Sequence, residues 1–264
     1  MGKRVLLTRA ASGIGAATAA ELRRRGAEVA GLDVAPGDGL IECDVTDQAS
    51  VDAAVAAAAE RLGGIDVVVN CAGIGPAQSA GAPPGDDALR LLDVNLLGPW
   101  RVTAAGLDAL LESRGRVVNV ASGLAHLTVP FATAYCMSKR GLVAYSDALR
   151  TEFAGDLEVT TVYPGYIRTP IHDAAAAQGI GLDGVVPAEE LDDAAQTMVR
   201  AALGPYARDL ATTRQGTIGY ALLRIVPRRL VDRLALRGLR RAVRRGHFDD
   251  SELAADLRRR LRAA

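Results

Sequence analysis

Lysine is almost absent from this chain. Of its 31 basic residues only Lys3 and Lys139 are lysines, which leaves 29 arginines among 264 residues. Aromatic residues are also scarce, at 4% with a single Trp, so there is little on which nucleic-acid bases could stack. The formal net charge is zero, which gives no electrostatic argument for nucleic acid or an acidic partner. The three cysteines, Cys43, Cys71 and Cys136, show no metal or redox spacing. They read as small buried apolar residues in a reducing compartment, with no disulfide framework and no metal site. No apolar run reaches the roughly 18 residues that a membrane span needs. The chain passes from Gly2-Lys3-Arg4 directly into a strand-like run without a signal-peptide pattern, so a cytoplasmic, soluble protein is expected.

What is abundant is Ala, Val, Leu and Gly, suited to close packing of helices on a sheet. Short apolar runs alternate with helical stretches. Strands are expected at Val5–Thr8, Val29–Asp33, Ile65–Asn70, Gly115–Ser122 and Val159–Pro164, with a further short one before Asp44. Helices are expected at Ala16–Arg25, closed by Gly26, then at Ser50–Leu62, Asp86–Leu111 and Tyr135–Phe153, and over 188–203. Strand and helix in alternation mean parallel strands with crossover helices, and continuously apolar strands mean a sheet covered on both faces. The expected fold is therefore α/β, a doubly wound parallel sheet of Rossmann type in a single domain, with a helical C-terminal extension. Ile171–Val186, with its alanine run and three glycines, reads as a mobile flap.

The division falls between a catalytic domain, 1–223, and an extension, 224–264. The extension holds thirteen arginines against five acidic residues, a surplus of eight positive charges, so the rest of this neutral chain carries the opposite surplus. Pro227 opens an amphipathic stretch with Leu230, Val231, Leu234, Leu239 and Val243 near helical spacing.

After the first strand comes Thr8-Arg9-Ala10-Ala11-Ser12-Gly13-Ile14-Gly15 and then a helix. Glycines let the backbone approach a diphosphate, which the helix N-terminus attracts; alone, such glycines often mark only a tight turn. Asp33 ends the second strand, placed to accept a hydrogen bond from an adenosine 2′-hydroxyl and to repel a 2′-phosphate, favouring NAD over NADP. Its other reading is a strand-end turn former. Asp44-Val45 and Asn70-Cys71-Ala72-Gly73 follow later strands and would set small or polar groups beside a flat ligand.

Tyr135 and Lys139 are four residues apart and share a helix face. A phenol is a poor base at neutral pH, and a neighbouring cation favours its phenolate. In a chain whose default cation is arginine, a lysine at this place points to a need for an ammonium, which can join a proton relay as guanidinium cannot. Ser122, at a strand end, is placed to hold a substrate oxygen or simply to cap the strand. Asn95 lies inside the long middle helix, either as a buried functional amide or as a residue that bends the helix.

Together these residues resemble the short-chain dehydrogenase/reductase family. Its glycine segment (Thr8–Gly15), Asn-Ala-Gly-type segment (Asn70–Gly73), helix Asn (Asn95), strand-end Ser (Ser122), Tyr-x-x-x-Lys (Tyr135–Lys139) and Pro-Gly (Pro164-Gly165) follow in order over about 3–205. The resemblance implies a catalytic tetrad of Asn95, Ser122, Tyr135 and Lys139. In it Tyr135 exchanges a proton with the substrate oxygen, Lys139 also holds the nicotinamide ribose, and Asn95 keeps a relay water. It further implies NAD as cofactor, with the Ile167 backbone and Thr169 hydroxyl on the carboxamide and Asp44 and Val45 beside the adenine. Arg9 departs from the pattern, standing where the family carries glycine. It swings outward to the adenosine side, where it can pair with Asp33; or it obstructs the dinucleotide, leaving a weak binder or a redox-silent or non-redox relative; or it is an introduced change.

Leu124, His126, Leu127, Val129, Pro130 and Phe131, with Ile171 and Ile180 from the flap, imply an apolar pocket for a hydrophobic secondary alcohol or ketone, with Tyr163 and Tyr166 as further hydroxyls. A homo-oligomer, dimer or tetramer, is expected, and no nucleic acid. The extension reads as an Arg-rich helix pair packed on the body, or as a peripheral membrane surface.

Overall fold

The computed structural model describes residues 2–35, 37–181 and 186–263. The order along the chain is β1 (Arg4–Thr8), α1 (Gly13–Arg24), β2 (Glu28–Asp33), β3 (Ile41–Glu42), α2 (Gln48–Leu62), β4 (Val67–Asn70) and α3 (Asp86–Leu92). A π-helical turn (Asp93–Leu97) leads into α4 (Gly98–Ala105), α5 (Leu107–Glu112), β5 (Arg116–Val120), α6 (Thr133–Glu152) and β6 (Glu158–Tyr163). There follow β7 (Tyr166–Ile167), α7 (Asp173–Ala177), β8 (Ala188–Glu189), α8 (Leu191–Leu203), β9 (Asp209–Ala211), α9 (Arg214–Ile225), α10 (Arg228–Arg244) and α11 (Ala255–Ala263).

Seven strands form one parallel sheet in the order β3-β2-β1-β4-β5-β6-β9. This is the expected Rossmann-type doubly wound architecture, in a single domain with C-terminal helices. Side chains along β1 alternate between the two faces. Val5 and Leu7 pack with α1 and α8 through Leu22 and Met198. Leu6 packs on the other side with α2, α4 and α5 through Val51, Val55, Val102 and Leu110. A two-sided core of this kind is why the strands read as continuously apolar.

Several boundaries shift for local reasons. α1 begins at Gly13, three residues before the expected start. α2 begins after Asp47, whose carboxylate accepts from the Ala49 N–H at 3.0 Å, and ends at Gly63 in the left-handed region (φ 69°). The single helix expected over Asp86–Leu111 is divided by the π turn at Asp93–Leu97 and by Gly106. β9 was not anticipated: Asp-Leu-Ala is too short and too mixed to show as a strand, and only its register with Thr161–Tyr163 of β6 defines it.

The expected flap is tied down over its described part. The Gln178 side chain accepts from the Ala77 N–H at 2.9 Å, the Gln178 carbonyl accepts from the Ser251 hydroxyl at 2.8 Å, and Ile180 is buried. The remainder of that segment, 182–185, lies outside the described residues. The Arg-rich extension supplies the cover. Val243, Phe248 and Ala254 pack with Ala77, Phe131 and Ile180, and Phe131 meets Phe248 edge-on at 6.1 Å. Val231, Leu239 and Val243 of α10 face inward, whereas Leu230 and Leu234 are exposed. The 223/224 division falls within α9.

Candidate active site

The carboxyl ends of β1, β4, β5 and β6 open onto one cavity of about 260 Å³. Tyr135 and Lys139, one turn apart on α6, reach it beside Ser122, which follows β5. The Ser122 hydroxyl lies beside the Tyr135 phenol, close enough to favour its ionised form. The Lys139 ammonium lies 5.6 Å from the Tyr135 ring centroid and donates to the Val120 carbonyl at 2.9 Å. Lys139 is only 3% exposed. Burial lowers its pKa to about 8, with a contribution from the Arg9 cation, while the Cys71 thiol opposes the shift. Burial pushes Tyr135 up to about 12, against the Ser122 hydroxyl and the Arg9 charge, which both act to lower it. Lys139 is thus charged at neutral pH but gives up its proton more readily than an ordinary lysine, and Tyr135 is a proton-bearing group beside a hydroxyl and the Arg9 cation.

Asn95 does not face the cavity. It sits wholly buried in the π turn, accepts from the Ile74 N–H at 2.8 Å, donates to the Ile74 carbonyl at 2.9 Å and approaches the Ser138 hydroxyl at 3.5 Å. Its amide therefore ties the loop after β4 to α6. The π turn is what lets a helical Asn spend both amide groups on another segment's backbone.

The glycine loop is built for close approach. Gly13 has φ +53°, and a Cβ on Gly15 would collide with the Arg9 carbonyl oxygen. Ser12 occupies the N-cap of α1 without a side-chain cap bond, leaving the helix's first N–H groups to an anion. Gly13, Ile14, Gly73, Pro164, Gly165, Ile167 and Thr169 all line the cavity. At the other end of the strand edge, Asp33 accepts from the N–H groups of Ala11 at 2.9 Å and Ala35 at 3.2 Å. Asp44 accepts from the Thr46 N–H and hydroxyl at 2.9 and 2.7 Å, which hold its carboxyl below the usual range. Val45 is buried against the backbone of Gly98. These residues fit a dinucleotide laid from Asp33 across the glycine loop toward Tyr135.

Three expected contacts take other roles. The Thr8 hydroxyl accepts from the N–H groups of Cys71 and Ala72, both at 2.9 Å, joining β1 to the loop after β4. The Asn70 amide is buried and donates to Thr103 at 3.0 Å and Asn119 at 2.9 Å, between sheet and helix. Both residues shape the site from behind: Thr8 satisfies loop backbone, and Asn70 joins two other buried polar side chains. Arg9 is the third. It does not pair with Asp33: its guanidinium turns inward, donating to the Gly73 carbonyl at 2.5 Å and the Ser12 hydroxyl at 3.3 Å, and it lines the cavity. Arg9 adopts φ +60°, the left-handed region that favours glycine.

The rest of the wall is apolar, as expected, with Leu124, Leu127, Val129, Ile171 and Tyr166 lining it. Phe131 and Ile180 do not; the extension buries them elsewhere. Pro130 is exposed. His126 lies against the rings of Tyr163 and Tyr220, at 4.8 and 5.4 Å, and the Tyr163 hydroxyl donates to Asp209 at 2.9 Å. The wall also includes Cys71 of the Asn70–Gly73 segment, and His172, Val186, Tyr220 and Leu223, which the sequence reading did not single out. Tyr220 and Leu223 come from α9, where no motif singles them out.

The short chain dehydrogenase family model matches residues 3–180. The chain belongs to this family. It is 34% identical over 194 residues to the oxidoreductase UcpA of Escherichia coli K12, an alignment covering 67% of this chain and 74% of that protein. It is 35% identical over 208 residues to D-threitol dehydrogenase of Mycolicibacterium smegmatis, covering 70% and 79%. Its fold is similar to that of 3-ketoacyl-(acyl-carrier-protein) reductase from Brucella melitensis complexed with NADH, with a TM-score of 0.71 at 26% identity over 81% of this chain and 98% of that one. The short-chain dehydrogenase/reductase family binds a nicotinamide dinucleotide and takes small-molecule substrates.

Proposed function

We propose that the protein moves a hydride between NAD and a hydrophobic secondary alcohol or its ketone, with Tyr135 as proton donor and acceptor. The observation that carries this reading is the meeting of Tyr135, Ser122 and Lys139 in a cavity whose remaining wall is mainly apolar. Bound NAD would accept or supply the hydride at its nicotinamide ring. The Ser122 hydroxyl then holds the substrate oxygen, and Tyr135 takes or gives that oxygen's proton. Lys139 is proposed to supply, one helical turn away, the ammonium that joins the proton relay. The cavity residues Ile167 and Thr169 are proposed to hold the carboxamide, and Asp33 to select NAD over NADP by its charge.

A cytoplasmic homo-oligomer is proposed in addition. Its support is an apolar groove between α4 and α6, where Trp100 stacks on Tyr145 at 5.3 Å while remaining 55% exposed. One observation favours a second reading, a redox-silent relative: the Arg9 guanidinium stands inside the cavity. A panel of hydrophobic secondary alcohols with NAD, followed by absorbance of the reduced cofactor, separates the two. Turnover that falls by about 10²-fold or more in Tyr135→Phe supports the first reading. Unmeasurable NAD binding by the wild type overturns it.

A further inference from the structure

Helix α9 is apolar on both faces. Tyr220 and Leu223 face the cavity. On the opposite side Ile218, Leu222 and Ile225, spaced four and three residues apart, are 56%, 55% and 80% exposed. A helix apolar all round belongs in an apolar surrounding, not at a water interface. Exposed apolar side chains continue along the chain past Pro227. On α10 Leu230 and Leu234, one turn apart, are 49% and 55% exposed. Alongside them runs a ridge of exposed arginines at four-residue spacing, Arg229, Arg233 and Arg237, which make no ion pair among the described residues.

We infer that this α9–α10 face docks on an anionic lipid bilayer, with the apolar side chains entering the headgroup–acyl boundary and the arginines meeting lipid phosphates. Charge decides between the candidate occupants. A second copy applied face to face would set one arginine ridge against another, each from an extension with a surplus of eight positive charges. A bilayer bearing acidic lipids is complementary to both parts of the face. No helix among the described residues is long and apolar enough to cross a membrane, so the contact is peripheral. The docking stands apart from the proposed reaction. What it adds is position: α9 is at once a cavity wall and a docked helix, so the cavity would lie one helix away from the lipid.

The test is co-sedimentation of the full chain with vesicles of phosphatidylcholine alone, or with about a third phosphatidylglycerol, across a salt series. The expected result is binding to the anionic vesicles, little binding to the neutral ones, and release as salt rises. Leu222→Asp/Ile225→Asp and Arg229→Glu/Arg233→Glu, both at exposed positions, are each expected to reduce the bound fraction at least tenfold with unchanged thermal melting. Sedimentation velocity of the same variants examines the competing occupant. No binding of the wild type to anionic vesicles overturns the inference. So does binding that survives Leu222→Asp/Ile225→Asp, or a wild-type oligomer that this variant dissociates.

Discussion

Arg9 is bonded to Gly73 across the cavity, so that one guanidinium joins the loop after β1 to the loop after β4. The same residue is held at φ +60°, a conformation that costs a side-chain-bearing residue on the order of 1–3 kcal/mol. A dinucleotide lying along the glycine loop must displace this contact, and a guanidinium–phosphate pair formed at the solvent edge returns little. Arg9→Gly removes both the obstruction and the strain. Calorimetric titration is expected to show NAD binding about tenfold tighter in Arg9→Gly than in the wild type. Weaker binding in the variant would make Arg9 a phosphate ligand.

Asp33 has its carboxylate fixed by two backbone N–H groups, at the end of β2 where the adenosine ribose is proposed to lie. Asn in its place can still accept the Ala11 hydrogen bond but carries no charge to repel a 2′-phosphate. Asp33→Asn is therefore expected to lower the preference for NAD over NADP at least tenfold, about 1.4 kcal/mol, with thermal stability little changed. An unaltered ratio of kcat/KM for the two cofactors would remove Asp33 from cofactor selection.

The doubly wound sheet was legible because burial on both faces leaves uninterrupted apolar strands, and Tyr135, Lys139 and Ser122 were legible because their spacing and residue types have few other uses. The scarcity of lysine sharpened Lys139 before any geometry was known. Asn70, Thr8 and Asn95 were harder. A polar residue at a strand end or in a helix can face a ligand or satisfy backbone, and only the positions of Thr103, Ile74 and Cys71 decide which. Tyr220 and β9 were not legible, since neither forms a local pattern; long-range packing alone puts them at the sheet edge. The direction of Arg9 stayed open between an outward and an obstructing reading, because its acceptor, the Gly73 carbonyl, is far away in sequence.

Lys139 makes stability depend on pH in a definite sense. Its folded pKa of about 8 lies below the ordinary value of 10.5. Below about pH 8 the ammonium is charged in both states, and the folded state bears the cost of burying it, on the order of 3 kcal/mol. Between about 8 and 10 the unfolded chain keeps more protons at this site than the folded one, so Lys139 contributes a rise of stability with pH. Buried thiols act in the opposite sense: Cys43 and Cys71, both pushed up to about 11, keep above about pH 9 protons that the unfolded chain releases. Tyr135, pushed up to about 12, adds to that fall above about 10. The Lys139 contribution is therefore read as the difference between wild type and Lys139→Met in denaturant melts. The variant is expected to be more stable than the wild type at pH 7, with its advantage shrinking as pH rises from about 8 to 10. A difference that stays constant between about pH 8 and 10 would contradict a buried, destabilised ammonium.

Phe248 of the extension packs edge-on against Phe131, and Phe131 is itself held at φ +64°. Phe131 closes the segment that contributes Leu127 and Val129 to the cavity wall, and its carbonyl accepts from the Gln78 N–H at 2.8 Å. The extension thus supports a strained corner of the substrate wall from behind. Phe248→Ala removes a buried ring from a cluster of few residues, a change that costs about 3–5 kcal/mol in a core. The loss should fall first on α10 and α11, since the sheet's two cores do not include them. Limited proteolysis is expected to cleave the variant within 228–263 well before the sheet domain. KM for the alcohol should rise more than kcat falls, because the wall loosens while Tyr135, Ser122 and Lys139 keep their places. Equal losses in kcat and kcat/KM, with the extension still resistant to protease, would show that the corner does not shape the substrate wall.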